Sequence, residues 1–222
     1  MIKIKPTHKK PLLILCAALL TFGAGCMLAL KQPPPELNLA VPFTTQAPNG
    51  NWAGNENCEE TSAVMAAAYL NGNTQETLEA NVAQDEINKL IVWENENLKY
   101  NANTGAHETA SMIQSALNLH TIVKDDFTED DIKNAITNKF VVLLPLNAQL
   151  LDPSNYPDLH PSYHMVVIRG YRDHLFYIND PGTTLGKNNP YTFEQIHNLA
   201  ADWNQVTKKI DTGKKTIIIV SK

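Results

Sequence analysis

Three side-chain types in this 222-residue chain combine into one chemistry: a thiol, an imidazole and a carboxylate. Cys58 is the single cysteine after residue 31, because Cys16 and Cys26 both lie in an apolar N-terminal run. With no second Cys beside it in that stretch it forms no internal disulfide, and its use is either burial or thiol chemistry. A thiolate attacks a carbonyl, an imidazole takes the thiol proton and later returns it to a leaving group, and a carboxylate orients the imidazole. His164, in HMVVIRGY, and Asp180, in YINDPG, are the candidates for the second and third parts. Asn179 is the reserve, since its amide oxygen accepts from an imidazole N–H equally well.

Competing chemistries fare worse. His160, His164 and His174 are too loosely spaced for zinc and have no second Cys to join them. His107-Glu108 opens a metalloprotease-like pattern, but Ser111 stands where the second His is required. Neither a GxSxG elbow nor a GxxxxGK[ST] loop occurs anywhere in the chain. No metal or organic cofactor is expected.

The elements that must carry these residues can be read from pattern. From Cys58 to Leu70 the run CEETSAVMAAAYL is apolar on nearly every helical face and is stopped by Asn71-Gly72, which reads as a buried helix. Cys58 then sits in the first turn, where unpaired amide N–H groups and the positive end of the dipole favour a thiolate. Further helices are expected over Thr74–Asn97, Ala106–Leu117, Glu129–Lys139 (opened by the capping box Thr128-x-x-Asp131) and Phe193–Trp203. Leu39–Phe43 reads as a short strand or extended lead. The runs Phe140–Leu146, His164–Tyr171, His174–Asp180 and Thr216–Ser221 read as strands. Helices first and strands later indicate an α+β fold with an antiparallel sheet.

A three-residue loop at Tyr171–Asp173 would pair Gly170 with His174 and so set His164 opposite Asp180; loops of two or four residues would move the partner to Pro181 or Asn179. The polar connection Leu151–Tyr163 ahead of His164 is long enough to be a gate or recognition element bordering a cleft, and Trp52 is close enough in sequence to Cys58 to line that cleft.

Residues 1–10 carry four lysines and no acid, and Pro11–Leu30 follows without a charge. That is the pattern of an export signal or membrane span with its N-terminus inside the cell and the rest outside. Three fates are open: an uncut anchor, lipidation at Cys26 within Gly23-Ala24-Gly25-Cys26, or simple secretion. All three make the remainder extracytoplasmic, with residues 32–38 a Pro-rich spacer and 39–222 the working domain. Of 18 basic residues, five lie in residues 1–31, leaving 13 against 23 acids, a net charge of −10. An acidic domain with no basic run argues against nucleic acid as a partner; the expected partners are a peptide or protein substrate and, through the N-terminal segment, the membrane. Oligomeric state is not legible in these residues.

Taken together, Gln46, CEETSAVMAAAYL from Cys58, HMVVIRGY from His164 and YINDPG around Asp180 resemble the bacteriocin-processing peptidases and their stand-alone relatives in the papain superfamily. The resemblance runs from about Leu39 to the C-terminus, and its specific part is the order Gln, Cys, His, then Asp followed by Pro. It implies a papain-like fold with Cys58 as nucleophile, His164 as general base and later acid, Asp180 as orienter and Gln46 as oxyanion donor. Hydrolysis of peptide or isopeptide bonds through an acyl-thioenzyme would follow. Two features depart from the pattern. Glu59-Glu60 stands where many relatives have Gly-Pro, either complementing the helix dipole or recognising a basic substrate residue, and in both cases raising the thiol pKa unless the acids point away. The chain also lacks the ATPase and transporter domain of a bacteriocin exporter. Alternatives to peptide hydrolysis are a cell-wall amidase or transamidase on the same triad, and a non-catalytic surface-binding module on an inactive papain-like scaffold.

Overall fold

The computed structural model describes residues 33–52, 56–100, 102–152, 154, 156 and 162–222. The reading of residues 1–31 as signal or anchor lies outside them. Among the described residues no helix is long and apolar enough to cross a membrane.

The helical half contains α1 (Cys58–Leu70), α2 (Ala80–Asn97) and α3 (Ala106–Leu117), followed by β2 (His120–Asp125) and α4 (Glu129–Thr137). The strand half contains β3 (Val141–Asn147), β4 (Tyr163–Arg172), β5 (Leu175–Asn179), β6 (Asn189–Thr192) and β9 (Thr216–Ser221). β1 (Glu36–Asn38) precedes them all, and a small hairpin of β7 (Asp202–Asn204) and β8 (Lys209–Asp211) follows α5 (Phe193–Leu199). The main sheet runs β2-β9-β3-β4-β5-β6 and every pairing in it is antiparallel. β1 pairs with the far end of β4, Glu36 opposite Arg172, so three residues expected in the Pro-rich spacer belong to the sheet.

Burial explains why the strand pattern was readable in some places and hidden in others. β3 is buried at every position and β4 at eight of its ten, as continuous apolar runs become when both sheet faces are covered. β2, at the edge of the sheet, alternates between exposed and half-buried, and HTIVKD carried too little apolar signal to be expected as a strand; pairing with β9 over six residues makes it one.

Three helices are shorter than their patterns predict, α4 by two residues because Lys139 turns into the left-handed region at φ 65°. Residues 74–79 stay out of the helix because the backbone of Phe43 claims them, its N–H donating to Glu76 O and its carbonyl accepting from Leu78 N–H. α5 ends at Leu199, and Ala201 N–H is taken by Pro145 O before the chain turns into β7. The expected helix at Ala106–Leu117 and the Thr128/Asp131 capping box are both present.

The register expectation needs a correction. The β4–β5 loop has two residues, Asp173 and His174, with Arg172 opposite Leu175 and Asp173 in the left-handed region at φ 55°. A bulge between Ile168 and Gly170 then shifts the ladder so that Val167 faces Asn179. Asp180 therefore lies beyond the paired part of β5 and is not the cross-strand partner of His164.

Candidate active site

Cys58 is the first residue of α1, with Asn57 as its N-cap. Ten of the thirteen residues of α1 are buried, so the helix is held on all sides, and Ser62 Oγ ties it to β4 by donating to Met165 O at 3.1 Å. The Met165 backbone, next to His164, also acts on the Cys58 sulfur and favours its thiolate. Strand and helix thus meet where sequence reasoning placed nucleophile and base.

His164 Nε2 is 2.7 Å from Asp180 Oδ1, and both side chains are almost fully buried. They meet although they are not ladder partners. The Asp-Pro-Gly segment folds back past the end of β5, closed by Asp180 N–H donating to Gly186 O at 2.8 Å. Gly182 N–H donates to Asp180 Oδ1 at 2.8 Å, an Asx-type turn of the kind that Asp-Pro-Gly favours. On the other oxygen, Tyr156 donates its hydroxyl to Asp180 Oδ2 in a short bond. Burial pushes the Asp180 carboxyl up, but the imidazole, the phenol and the Gly182 amide together hold it below the ordinary value, so it is an anion at neutral pH. With Nε2 turned to Asp180, the free ring position is Nδ1.

Gln46 is buried, and its backbone N–H donates to Pro181 O at 2.9 Å, which clamps its loop to the residue after Asp180. Asn179 spends its amide elsewhere, donating to Val41 O at 3.1 Å and accepting from Asn188 N–H at 3.1 Å. Its position as an alternative orienter of the imidazole is thereby closed.

The thiol side of the site differs from the sequence reading. Cys58 Sγ lies 2.9 Å from Glu59 Oε2, and Glu59 Oε1 accepts from Thr104 N–H at 2.9 Å. Glu59 and Glu60 are 1% and 2% exposed, too deeply placed to meet a basic substrate residue or to act as a solvated complement to the dipole. Burial first, then Glu59 and Glu60, push the Cys58 thiol well up, and these outweigh the Met165 backbone, which pulls it down. Burial and Glu60 push Glu59 itself to about 8. Glu94 of α2 completes a carboxyl cluster. Neither of its oxygens, nor Glu60 Oε2, finds a donor among the described residues. Two buried carboxyls satisfy one another by sharing a proton, and burial beside Glu60 pushes Glu94 up to about 11, which places that proton on Glu94.

A family model described as the Peptidase_C39 like family matches residues 38–211. The chain belongs to this family of C39-like peptidases. A crystal structure from Bacillus anthracis, of a protein classed by likeness as a C39-like peptidase, is similar at a TM-score of 0.55 and 16% identity, covering 85% of this chain and 98% of that one. At that identity the likeness shows the fold, which is α+β and papain-like. No curated protein matches this sequence significantly.

Three parts of the site in this C39-like chain escaped sequence reasoning. Tyr156 was inside the long connection singled out before His164, but nothing marked one tyrosine among PSNYPDLHPSY as a partner of Asp180. Gly182 looked like the tail of a turn. A Cβ there would come within 2.9 Å of both Cε1 and Nε2 of His164, so the imidazole needs a glycine beside it. Glu59 was noted as a departure, and only its reach to the sulfur was hidden. Among the described residues no cluster of His, Cys, Asp or Glu is arranged to hold a metal ion.

Proposed function

We propose that this chain is an extracytoplasmic cysteine peptidase that cleaves peptide or isopeptide bonds through an acyl-thioenzyme, with Cys58 as nucleophile, His164 as base and acid, Asp180 as orienter and Gln46 as oxyanion donor. The observation that carries the reading is the buried His164–Asp180 pair at 2.7 Å, set beside the N-terminus of a buried helix whose first residue is the thiol. Nothing in a sheet or a core calls for an imidazole and a carboxylate buried together at that point, whereas thiol catalysis does.

In the reaction, His164 Nδ1 takes the Cys58 proton and the sulfur forms a bond to the substrate carbonyl carbon. The resulting oxyanion is met by the Cys58 backbone N–H and the Gln46 side-chain amide, donors typically worth about 3 kcal/mol each. The C–N bond breaks as the imidazolium gives its proton to the amine, leaving a thioester. Water, deprotonated by His164, then releases the carboxylic acid and restores the thiol. The negative charge of Asp180 supports the imidazolium through Nε2 and fixes the ring.

The apolar, uncharged run Pro11–Leu30 after a basic N-terminus supports an outward-facing domain, tethered or released. The test is to incubate the full chain with a peptide library and read new termini by mass spectrometry, beside Cys58→Ala and His164→Ala. Cleavage lost in both variants is expected; cleavage that persists without Cys58 would overturn the reading. Adding a primary amine separates hydrolysis from transamidation, since the latter joins the amine to the acyl fragment.

A further inference from the structure

The thiol of Cys58 has a definite partner that the proposed reaction does not use. Sγ sits 2.9 Å from Glu59 Oε2, and among the described residues no bond joins it to His164. Glu59 is itself fixed in place. Its second oxygen takes the Thr104 N–H at 2.9 Å, and Thr104 is locked by its own hydroxyl against Thr109 at 2.9 Å and by Tyr163, whose phenol donates to Thr104 O at 3.0 Å. Tyr163 is the neighbour of His164 on β4, so the carboxyl that holds the sulfur and the imidazole that would accept its proton are braced by one strand.

We infer that Glu59 is a positioning residue that holds the Cys58 thiol protonated and turned away from His164 in the resting protein, so that cleavage begins only once the sulfur swings from carboxyl to imidazole. The inference rests on the peptidase reading given above and deepens it into regulation of the same site. Its physics is local. In either protonation state of Glu59 the sulfur keeps its proton: a carboxylate there accepts the S–H bond and repels a thiolate, and a carboxylic acid offers no base to remove the proton. The other titratable groups around the pair are Glu60 on α1, Glu94 on α2, Glu108 on α3, Tyr163 and His164 on β4 and Asp202 on β7, the last paired with Lys214 at 2.8 Å. Apart from the imidazole, the Met165 backbone and the Lys214 ammonium taken up by Asp202, this environment is acidic or phenolic, and its balance favours the thiol over the thiolate. A rotation about the Cys58 Cα–Cβ bond moves the sulfur without moving the helix, and a substrate that displaces it from Glu59 would switch the site on.

The test is the pH profile of Cys58 alkylation by iodoacetamide in the full chain. It is read as mass gain on the tryptic peptide spanning 32–89, which contains no other cysteine. Glu59→Gln keeps the side-chain shape and an oxygen for Thr104 N–H but removes the acid. Alkylation at pH 7 is expected to rise about fivefold or more, with the midpoint of the profile moving to lower pH. In a His164→Ala background that gain should disappear, because the released sulfur then has no imidazole to meet. An unchanged or slower rate in Glu59→Gln overturns the inference, the slower rate marking Glu59 as a base. Equal acceleration with and without His164 also overturns it, since the carboxyl would then be raising the thiol pKa without diverting it. Should Glu59→Gln fail to fold by circular dichroism, Glu59→Asp carries the same test by drawing the oxygen back from the sulfur, with a smaller gain expected. The peptidase reading stands or falls separately, on whether cleavage survives Cys58→Ala.

Discussion

The two sides of the site are built in opposite ways. Around His164 every polar partner is in place: Asp180 receives the imidazole, the Tyr156 hydroxyl and the Gly182 amide, and is held as an anion by them. On the Cys58 side the sulfur meets the buried carboxyl of Glu59, with Glu60 acting on both and Glu94 on Glu60, and Glu60 Oε2 and both Glu94 oxygens lack donors among the described residues. A saturated network is rigid and specifies one geometry, whereas buried carboxyls short of donors resist ionisation at a cost in stability. On the proposed reading, the imidazole side is preorganised for proton transfer while the thiol side is arranged to keep its proton.

That contrast can be broken from either side. The largest effect is expected from His164→Ala, which should lower peptide cleavage by about 10³-fold or more while leaving the fold intact by circular dichroism. Next is Gly182→Ala. Its Cβ would press on the imidazole at 2.9 Å, so kcat should fall by about 10²-fold and stability in urea by about 1–3 kcal/mol. Tyr156→Phe removes one of three donors to Asp180 and should cost about tenfold in kcat/KM, with a small loss of stability of about 1 kcal/mol.

The smallest change in activity, and a gain in stability, is expected from Glu94→Gln. Glu94 is a proton-holding acid with its folded pKa raised from about 4.5 to about 11. Between those values the native state binds more protons than the unfolded one, so stability falls as pH rises across that window. Replacing Glu94 by a neutral amide removes this penalty. The variant should be more stable than the parent at pH 8 by about 1–3 kcal/mol and indistinguishable at pH 4, by urea midpoints at the two pH values. A variant–parent difference that is the same at both pH values would show that the Glu94 pKa is not raised in the folded state.

Much of this was legible in the chain itself. α1 was readable to the residue, because an all-round apolar run bounded by Cys58 and Asn71-Gly72 has no other use, and the buried strands β3 and β4 announced themselves through Val and Ile content. His164 and Asp180 were identified as partners, though through a hairpin register that the structure replaces. A two-residue loop and a bulge carry the ladder elsewhere, and the Asp-Pro-Gly turn brings the carboxylate back. β1, β2, β6, β7 and β8 were not readable, since three- to six-residue strands with mixed polarity are made by their pairing partners and not by local preference.

The sequence by itself determined which residue types were on hand and the helix that carries the thiol, because both depend on local composition and period. Only the tertiary structure decided what each of those groups touches. Glu59 beside Cys58 reads as a helix-dipole complement until packing buries it, and burial turns a surface charge into an acid near its midpoint that claims the sulfur. Tyr156 and Gly182 join the site from a connection and a turn because the fold brings their backbones to the end of β5. The physical reason is that hydrogen bonding and charge in a dry interior depend on neighbours in space, which a linear pattern specifies only where the neighbour is also close in the chain.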